Sequence, residues 1–398
     1  MTDPARLAQL MRDAAAAMAA RDSGRALALV ADVERAGLRH PDVQHLKAAA
    51  LHQSGDLANA IAAYDAALAL DPYYLPSILG KGAALDDAGR KAQAVAVWRN
   101  ALKVAPSAER LPPPLAALHA RARARIDAEN RTLHDFLAAE VASVRARYGA
   151  SELKRFDESL EVFSGLTRVF VHEPTMLNFP ALPAVSFFER EQFPWFERLE
   201  AATADIVGEL AAVLSSPAAD AFAPYVAYPP GAPVNQWGEL NHSRRWTSFF
   251  FYVNGARQAG ACNAAPKTAA LLDGLPLLDV PGFGPTAMFS SLAPKTRIPP
   301  HTGSTNVRAI IHLPLILPGP AWFRVGNDRR VWRMGEAWAF DDTIEHEAMN
   351  ESAETRVILI CDAWNPYLTE PERALVSAML QAKGAFEMRA GGRAERFA

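Results

Sequence analysis

Arg297-Ile298-Pro299-Pro300-His301-Thr302-Gly303-Ser304-Thr305-Asn306-Val307-Arg308 is the stretch on which the fold turns. It sets a histidine at a strand edge, then a turn around Gly303, then the apolar run Val307 to Leu317. Working outward, Thr286 to Leu292, Ala321 to Val325, Ala337 to Phe340 and Arg356 to Trp364 are further short β-prone runs with Gly and Pro between them. Many short strands with few helices between them predict a sandwich or closed barrel, beginning where the composition shifts near Val162. A helix over Phe196 to Leu214 is expected to pack on its outside.

A second histidine stands in a similar context, Phe340-Asp341-Asp342-Thr343-Ile344-Glu345-His346-Glu347, with Arg356 ten residues further on. Either histidine alone is more readily a hydrogen-bonded structural residue than a ligand. Together, on neighbouring barrel strands, they could hold one cation, and neutral imidazole suits iron(II).

The first third has a different order. Ala48, Gly55, Ala60, Tyr64, Ala67 and Pro72 recur 34 residues later as Gly82, Gly89, Ala94, Trp98, Ala101 and Pro106. Small residues stand where helices approach closely, an aromatic fills the gap, and proline ends the second helix. The pattern resembles a tetratricopeptide repeat, with a degenerate copy from about Ala5 to His40 as a terminal cap. Leu111-Pro112-Pro113-Pro114 interrupts it, and the helical stretch beyond is expected to be a rigid connector whose Arg121, Arg123 and Arg125 are solvated. The expected domains are thus 1–110, 111–164 and 165–398.

Bulk properties narrow the function. With 41 basic and 44 acidic residues, a net charge of -3, no field favours polyanions, so nucleic acid is not an expected partner. No run of about 18 apolar residues predicts a membrane span. Cys262 and Cys361 are the only cysteines, too few for a disulfide scaffold or a cysteine-built zinc site, and they suit a reducing, cytoplasmic setting.

The C-terminal segments resemble the aspartyl/asparaginyl β-hydroxylase family of 2-oxoglutarate-dependent oxygenases. Beside the two histidine segments, the resemblance rests on Asn178-Phe179-Pro180, Val234-Asn235-Gln236-Trp237, Asn263-Ala264-Ala265-Pro266-Lys267-Thr268 and Asp362-Ala363-Trp364-Asn365-Pro366, roughly the last 220 residues. It implies an α+β chain: an all-α repeat array, then a double-stranded β-helix (jelly-roll, cupin-like) barrel with flanking helices. It implies Fe(II), with 2-oxoglutarate and O2 as cosubstrates, succinate and CO2 as coproducts, and an unactivated carbon hydroxylated, the β-carbon of an Asp/Asn-type residue in a peptide or protein.

Residue by residue, the resemblance makes His301 and His346 the iron ligands and Arg356 the partner of the oxoacid's far carboxylate. Ser290, His312 and Trp246 become further oxoacid contacts, and Arg308 a grip on the substrate's acid. Gly303 occupies the position where the wider superfamily has a carboxylate ligand, a vacancy that these β-hydroxylases share; Asp342 is the candidate to orient a water there. Asn241 replaces a basic residue that helps hold the substrate acid in the animal enzymes, which points to a substrate other than the aspartyl side chain of a disulfide-rich domain; Ile310 replaces another near the oxoacid, which leaves Arg356, with help from His312, as its main cationic contact. Two other readings stay open: a non-catalytic adaptor whose repeats bind a partner, and a halogenase using the vacancy at Gly303. The repeat arm is a candidate to recruit the peptide or protein substrate.

Overall fold

The computed structural model describes residues 4–389. The chain forms two compact units, Met1–Arg168 and Val169–Ala398.

Among the described residues, unit one holds eight α-helices: α1 Pro4–Ala19, α2 Ser23–Arg35, α3 Pro41–Gln53, α4 Leu57–Leu70, α5 Leu75–Asp87, α6 Lys91–Val104, α7 Pro113–Arg145 and α8 Ala150–Ser164. The 34-residue period has a steric cause. A methyl group at Gly82 would overlap the Trp98 indole, and one at Gly80 would overlap the Tyr64 ring. The recurring Gly55 and Gly89 leave α3 and α5 with φ of +87° and +75°, a left-handed conformation that costs glycine little.

The separate connector is corrected by the packing. Helix α7 puts Ala122 and Ile126 into the same core as Tyr64 and Trp98, so the repeat core continues through it. Arg121 and Arg125 are not merely solvated. One helical turn apart, they share a face and reach Asp86 on α5 at 2.6 and 3.0 Å.

Unit two is two antiparallel sheets with helices. Along the chain come α9 Phe196–Ala201, α10 Thr203–Leu214, β1 Ala223–Pro224, β2 Trp246–Val253, β3 Ala256–Arg257, α11 Ala259–Ala264 and α12 Pro266–Asp273. There follow β4 Ala287–Leu292, β5 Thr296–His301, β6 Arg308–Ile316, β7 Ala321–Val325, β8 Asp328–Val331, β9 Trp338–Phe340, β10 His346–Asn350, β11 Arg356–Trp364 and α13 Glu370–Arg389. The single helix expected over Phe196 to Leu214 is divided at Ala202.

The larger sheet has the order β1-β2-β4-β11-β6-β9, with β3 on β2; the smaller is β5-β10-β7-β8. Strict alternation sorts the side chains of the central strands. On β11 the odd positions Val357, Leu359, Cys361 and Ala363 join Leu199, Ile206 and Leu210 of the outer helices in one core. The even positions Ile358 and Ile360 join an interior aromatic core with Trp246, Phe323, Trp332, Trp338 and Phe340. Arg356 and Asp362 share that even phase, which is why two charged residues end up inside the barrel. The jelly-roll architecture expected from the sequence is the one observed. Among the described residues no helix is long and apolar enough to cross a membrane.

Candidate active site

His301 ends β5 and His346 begins β10, and the two residues pair directly across these antiparallel strands. Their ring centroids lie 4.0 Å apart. Each ring is oriented by its own chain: His301 Nδ1 lies 2.8 Å from the Pro299 carbonyl and His346 Nδ1 lies 3.0 Å from that of Ile344. A carbonyl can only accept, so each Nδ1 carries the proton and each Nε2 keeps its lone pair. Burial, reinforced by His346, pushes the His301 imidazole down to about 3. Burial also lowers His346 to about 4. Both rings are therefore neutral near pH 7, the form that binds a metal.

Two straps fix the loops behind these rings. Residues 173–177 donate backbone hydrogen bonds to Thr343, Gly303 and Ser304, spanning the loop after His301 and the loop before His346. Asn306, fully buried, accepts from Phe179 N at 2.7 Å and donates to Asn178 Oδ1 at 3.0 Å. The Asn178-Phe179 segment is thus a brace for the first ligand loop.

The vacancy at Gly303 has a definite neighbour. A methyl group there would overlap Asp342 Oδ2, so glycine is what lets this carboxylate lie against the loop. Arg308 Nη2 donates to the same oxygen at 2.7 Å, and Arg308 Nη1 lies 3.7 Å from Asp362 Oδ2. Burial raises the Asp342 carboxyl, and burial pushes Asp362 up to about 7, in each case against the pull of Arg308. Burial works to lower Arg308, but Asp342 and Asp362 more than offset it. The residue expected to grip substrate is thus already held by two carboxylates of its own chain. Asp362 is a partner that sequence reasoning missed, although its even position on β11 was the available signal.

At the other end of the interior, Arg356 is 2% exposed, and among the described residues its one hydrogen bond is a long one to the Ser290 carbonyl, 3.5 Å. No carboxylate pairs with it among the described residues, and burial alone brings the guanidinium down to about 9. Its charge lies over the Trp332 ring at 4.6 Å. His312 stacks on that ring at 5.3 Å, and Trp246 Nε1 donates to Ser290 Oγ at 3.1 Å. His312 Nδ1 and the indole nitrogens of Trp332 and Trp338 are buried without partners. An unpaired buried cation beside several unsatisfied ring nitrogens is the chemistry of a carboxylate pocket.

The structure therefore brings together Trp246, Ser290, His312 and Arg356 at one end, and His301, His346, Asp342 and Arg308 at the other. Asn241 is placed differently: its Oδ1 accepts from Tyr228 N at 2.8 Å and staples the loop between β1 and β2. Among the described residues no cluster of three His, Cys, Asp or Glu side chains is arranged to hold an ion. A metal here would have two protein ligands. Tyr225 stacks on Trp246 at 4.2 Å, and Trp237 packs edge-on against His301 at 4.9 Å, walling the histidine end with aromatics.

Residues 200–366 match the family described as Aspartyl/Asparaginyl beta-hydroxylase. The human aspartyl/asparaginyl beta-hydroxylase is 36% identical over 141 residues, 35% of this chain and 18% of that protein. The aspartate beta-hydroxylase domain-containing protein 2 of Xenopus tropicalis is 32% identical over 216 residues, 53% of this chain and 56% of that one. The ornithine lipid ester-linked acyl 2-hydroxylase of Rhizobium tropici is 35% identical over 144 residues, 35% of this chain and 49% of that one. The matches thus span only part of each relative's own length.

Proposed function

From the match of residues 200–366 to the aspartyl/asparaginyl β-hydroxylase family, we propose that this chain is a member of it, an iron(II)- and 2-oxoglutarate-dependent dioxygenase that hydroxylates an unactivated carbon, with succinate and CO2 as coproducts. The observation that carries the reading is Arg356, a buried guanidinium with no acid partner among the described residues, in the same barrel interior as two neutral, paired imidazoles.

The residues fit the cofactor. His301 and His346 would hold iron(II) through their Nε2 atoms, which their backbone hydrogen bonds leave free. Arg356 would take the far carboxylate of 2-oxoglutarate in two parallel hydrogen bonds, with His312 beside it. Iron would supply the activation of dioxygen and the removal of a hydrogen atom from carbon. The protein's part is orientation and dryness: Ser290 and Trp246 shape the oxoacid's side, and Trp237 and Tyr225 limit water at the histidines.

Asp342 bears on the halogenase reading. A halide placed against Gly303 would meet the Asp342 carboxylate, which the fold holds there through Arg308. The adaptor reading gives no reason to bury Arg356 without a partner. Recruitment of a peptide or protein by the repeats, and a cytoplasmic setting, belong to the proposal as well.

The test is direct. Calorimetric titration should show iron(II) and 2-oxoglutarate binding to the full chain, and His301→Ala or His346→Ala should abolish succinate release. Full succinate release by either purified variant, with iron bound normally, would overturn the assignment. Mass spectrometry of peptides from a cell extract should find a gain of one oxygen.

A further inference from the structure

Resting on that reading, we infer that the side chain this enzyme oxidises carries N–H groups and no negative charge, a carboxamide first of all, and that a carboxylate is refused. The argument is an inventory of cations. The strands of the larger sheet contain three arginines, Arg257, Arg308 and Arg356. Arg257 faces Asp273 on the outside, at 3.5 Å, and Arg356 belongs to the oxoacid end. That leaves Arg308, which already donates to Asp342 at 2.7 Å and lies 3.7 Å from Asp362. In the smaller sheet, Arg297 and Arg324 both bond Glu347, while Arg329 lies over Trp322 and Arg330 over Phe187. No strand of either sheet offers an uncommitted guanidinium beside the histidines.

The neighbouring positions point the same way. Asp362 faces Ile310 in the register of β11 and β6, so the residue next to the second acid is apolar. Meanwhile Asp342 Oδ1 and Asp362 Oδ2 are buried acceptors that receive no hydrogen bond among the described residues, the second lying 3.7 Å from Arg308 Nη1. An entering N–H finds oxygen lone pairs there. An entering carboxylate finds two carboxyl groups that already share the one guanidinium and no further cation, walled by the rings of Tyr225, Trp246 and Trp237.

The experiment uses the full chain under anaerobic conditions, with iron(II) and 2-oxoglutarate bound, and titrates two matched probes by calorimetry: N-acetyl-asparagine methylamide and N-acetyl-aspartate methylamide. The asparagine probe should bind at least tenfold tighter. Ile310→Arg, which adds a cation opposite Asp362, should move the preference at least tenfold toward the aspartate probe. Equal or tighter binding of aspartate by the unaltered chain would overturn the inference, and so would the absence of heat with both probes. The unaltered chain decides the matter even if the variant does not fold. Failure of iron or 2-oxoglutarate to bind in the preceding titration is a separate result; it sinks the dioxygenase reading and this inference with it.

Discussion

Two arginines face the interior of one barrel and live under opposite electrostatic rules. Arg308 lies between two carboxylates of its own chain, and these raise its proton affinity against the effect of burial. Arg356 has no acid partner among the described residues, and burial lowers it to about 9. The first arrangement is complete within the folded chain; the second leaves a charge that the proposed oxoacid would pair. Buried charges are ordinarily paired because an unpaired one is costly, so the exception marks where a ligand's charge belongs.

Removing each arginine in turn should separate the two cases. Arg308→Met leaves Asp342 and Asp362 buried without their cation and should destabilise the second unit by about 3–5 kcal/mol. Denaturant unfolding followed by tryptophan fluorescence reads this unit, since all tryptophans but Trp98 lie beyond residue 168. A loss below about 1 kcal/mol would mean that the pairing is not the source of Arg308's stability.

Arg356→Met should do the reverse. The ligand-free protein should be no less stable, because a desolvated charge is replaced by an apolar chain of similar length. Affinity for 2-oxoglutarate should fall about a hundredfold, the loss of roughly 3 kcal/mol of charge-assisted hydrogen bonding. Calorimetry on the iron-loaded variant checks this, and undiminished affinity would detach Arg356 from the oxoacid.

Gly303→Ala sharpens the Arg308 side. The added methyl group must displace the Asp342 carboxylate from its place beside Arg308, at a cost of about 1–3 kcal/mol, the usual range for overpacking. Unchanged stability would show that the loop can yield instead.

The smallest effect belongs to the Arg356 side. His312 is lowered well below 6.5, by burial first, then by Arg356 and His346. It stays neutral in the fold and takes a proton on unfolding, so stability is lost as pH falls below 6.5. The stability difference between wild type and His312→Gln should shrink by about 1.4 kcal/mol per pH unit below that point. A constant difference would mean that His312 is as easily protonated folded as unfolded.

How much of this was legible beforehand depended on the range of the interactions. The repeats were legible because their steric rule is local and recurs: a glycine meets an aromatic of the next helix, as Gly82 meets Trp98, and the same distance along the chain repeats. The continuation of that core through α7 was hidden, since Ala122 and Ile126 carry no sign of which helix they will face. In the barrel, the two histidine segments and Arg356 stood out as residue types in strand-edge contexts. Nothing in the chain, however, said that Arg308 would find Asp342 and Asp362, which lie 34 and 54 positions away.

The sequence alone determined the 34-residue repeat, most of the short strands and the absence of a carboxylate at 303, which follow from side-chain identity and from periods that any reader of the chain can count. The residues proposed to hold a metal and an oxoacid came from the family resemblance. Only the tertiary structure decided which buried charges are satisfied from within and which are left waiting. Electrostatic pairing depends on distance in space, and the two sheets bring together oxygens and nitrogens that the covalent chain keeps far apart.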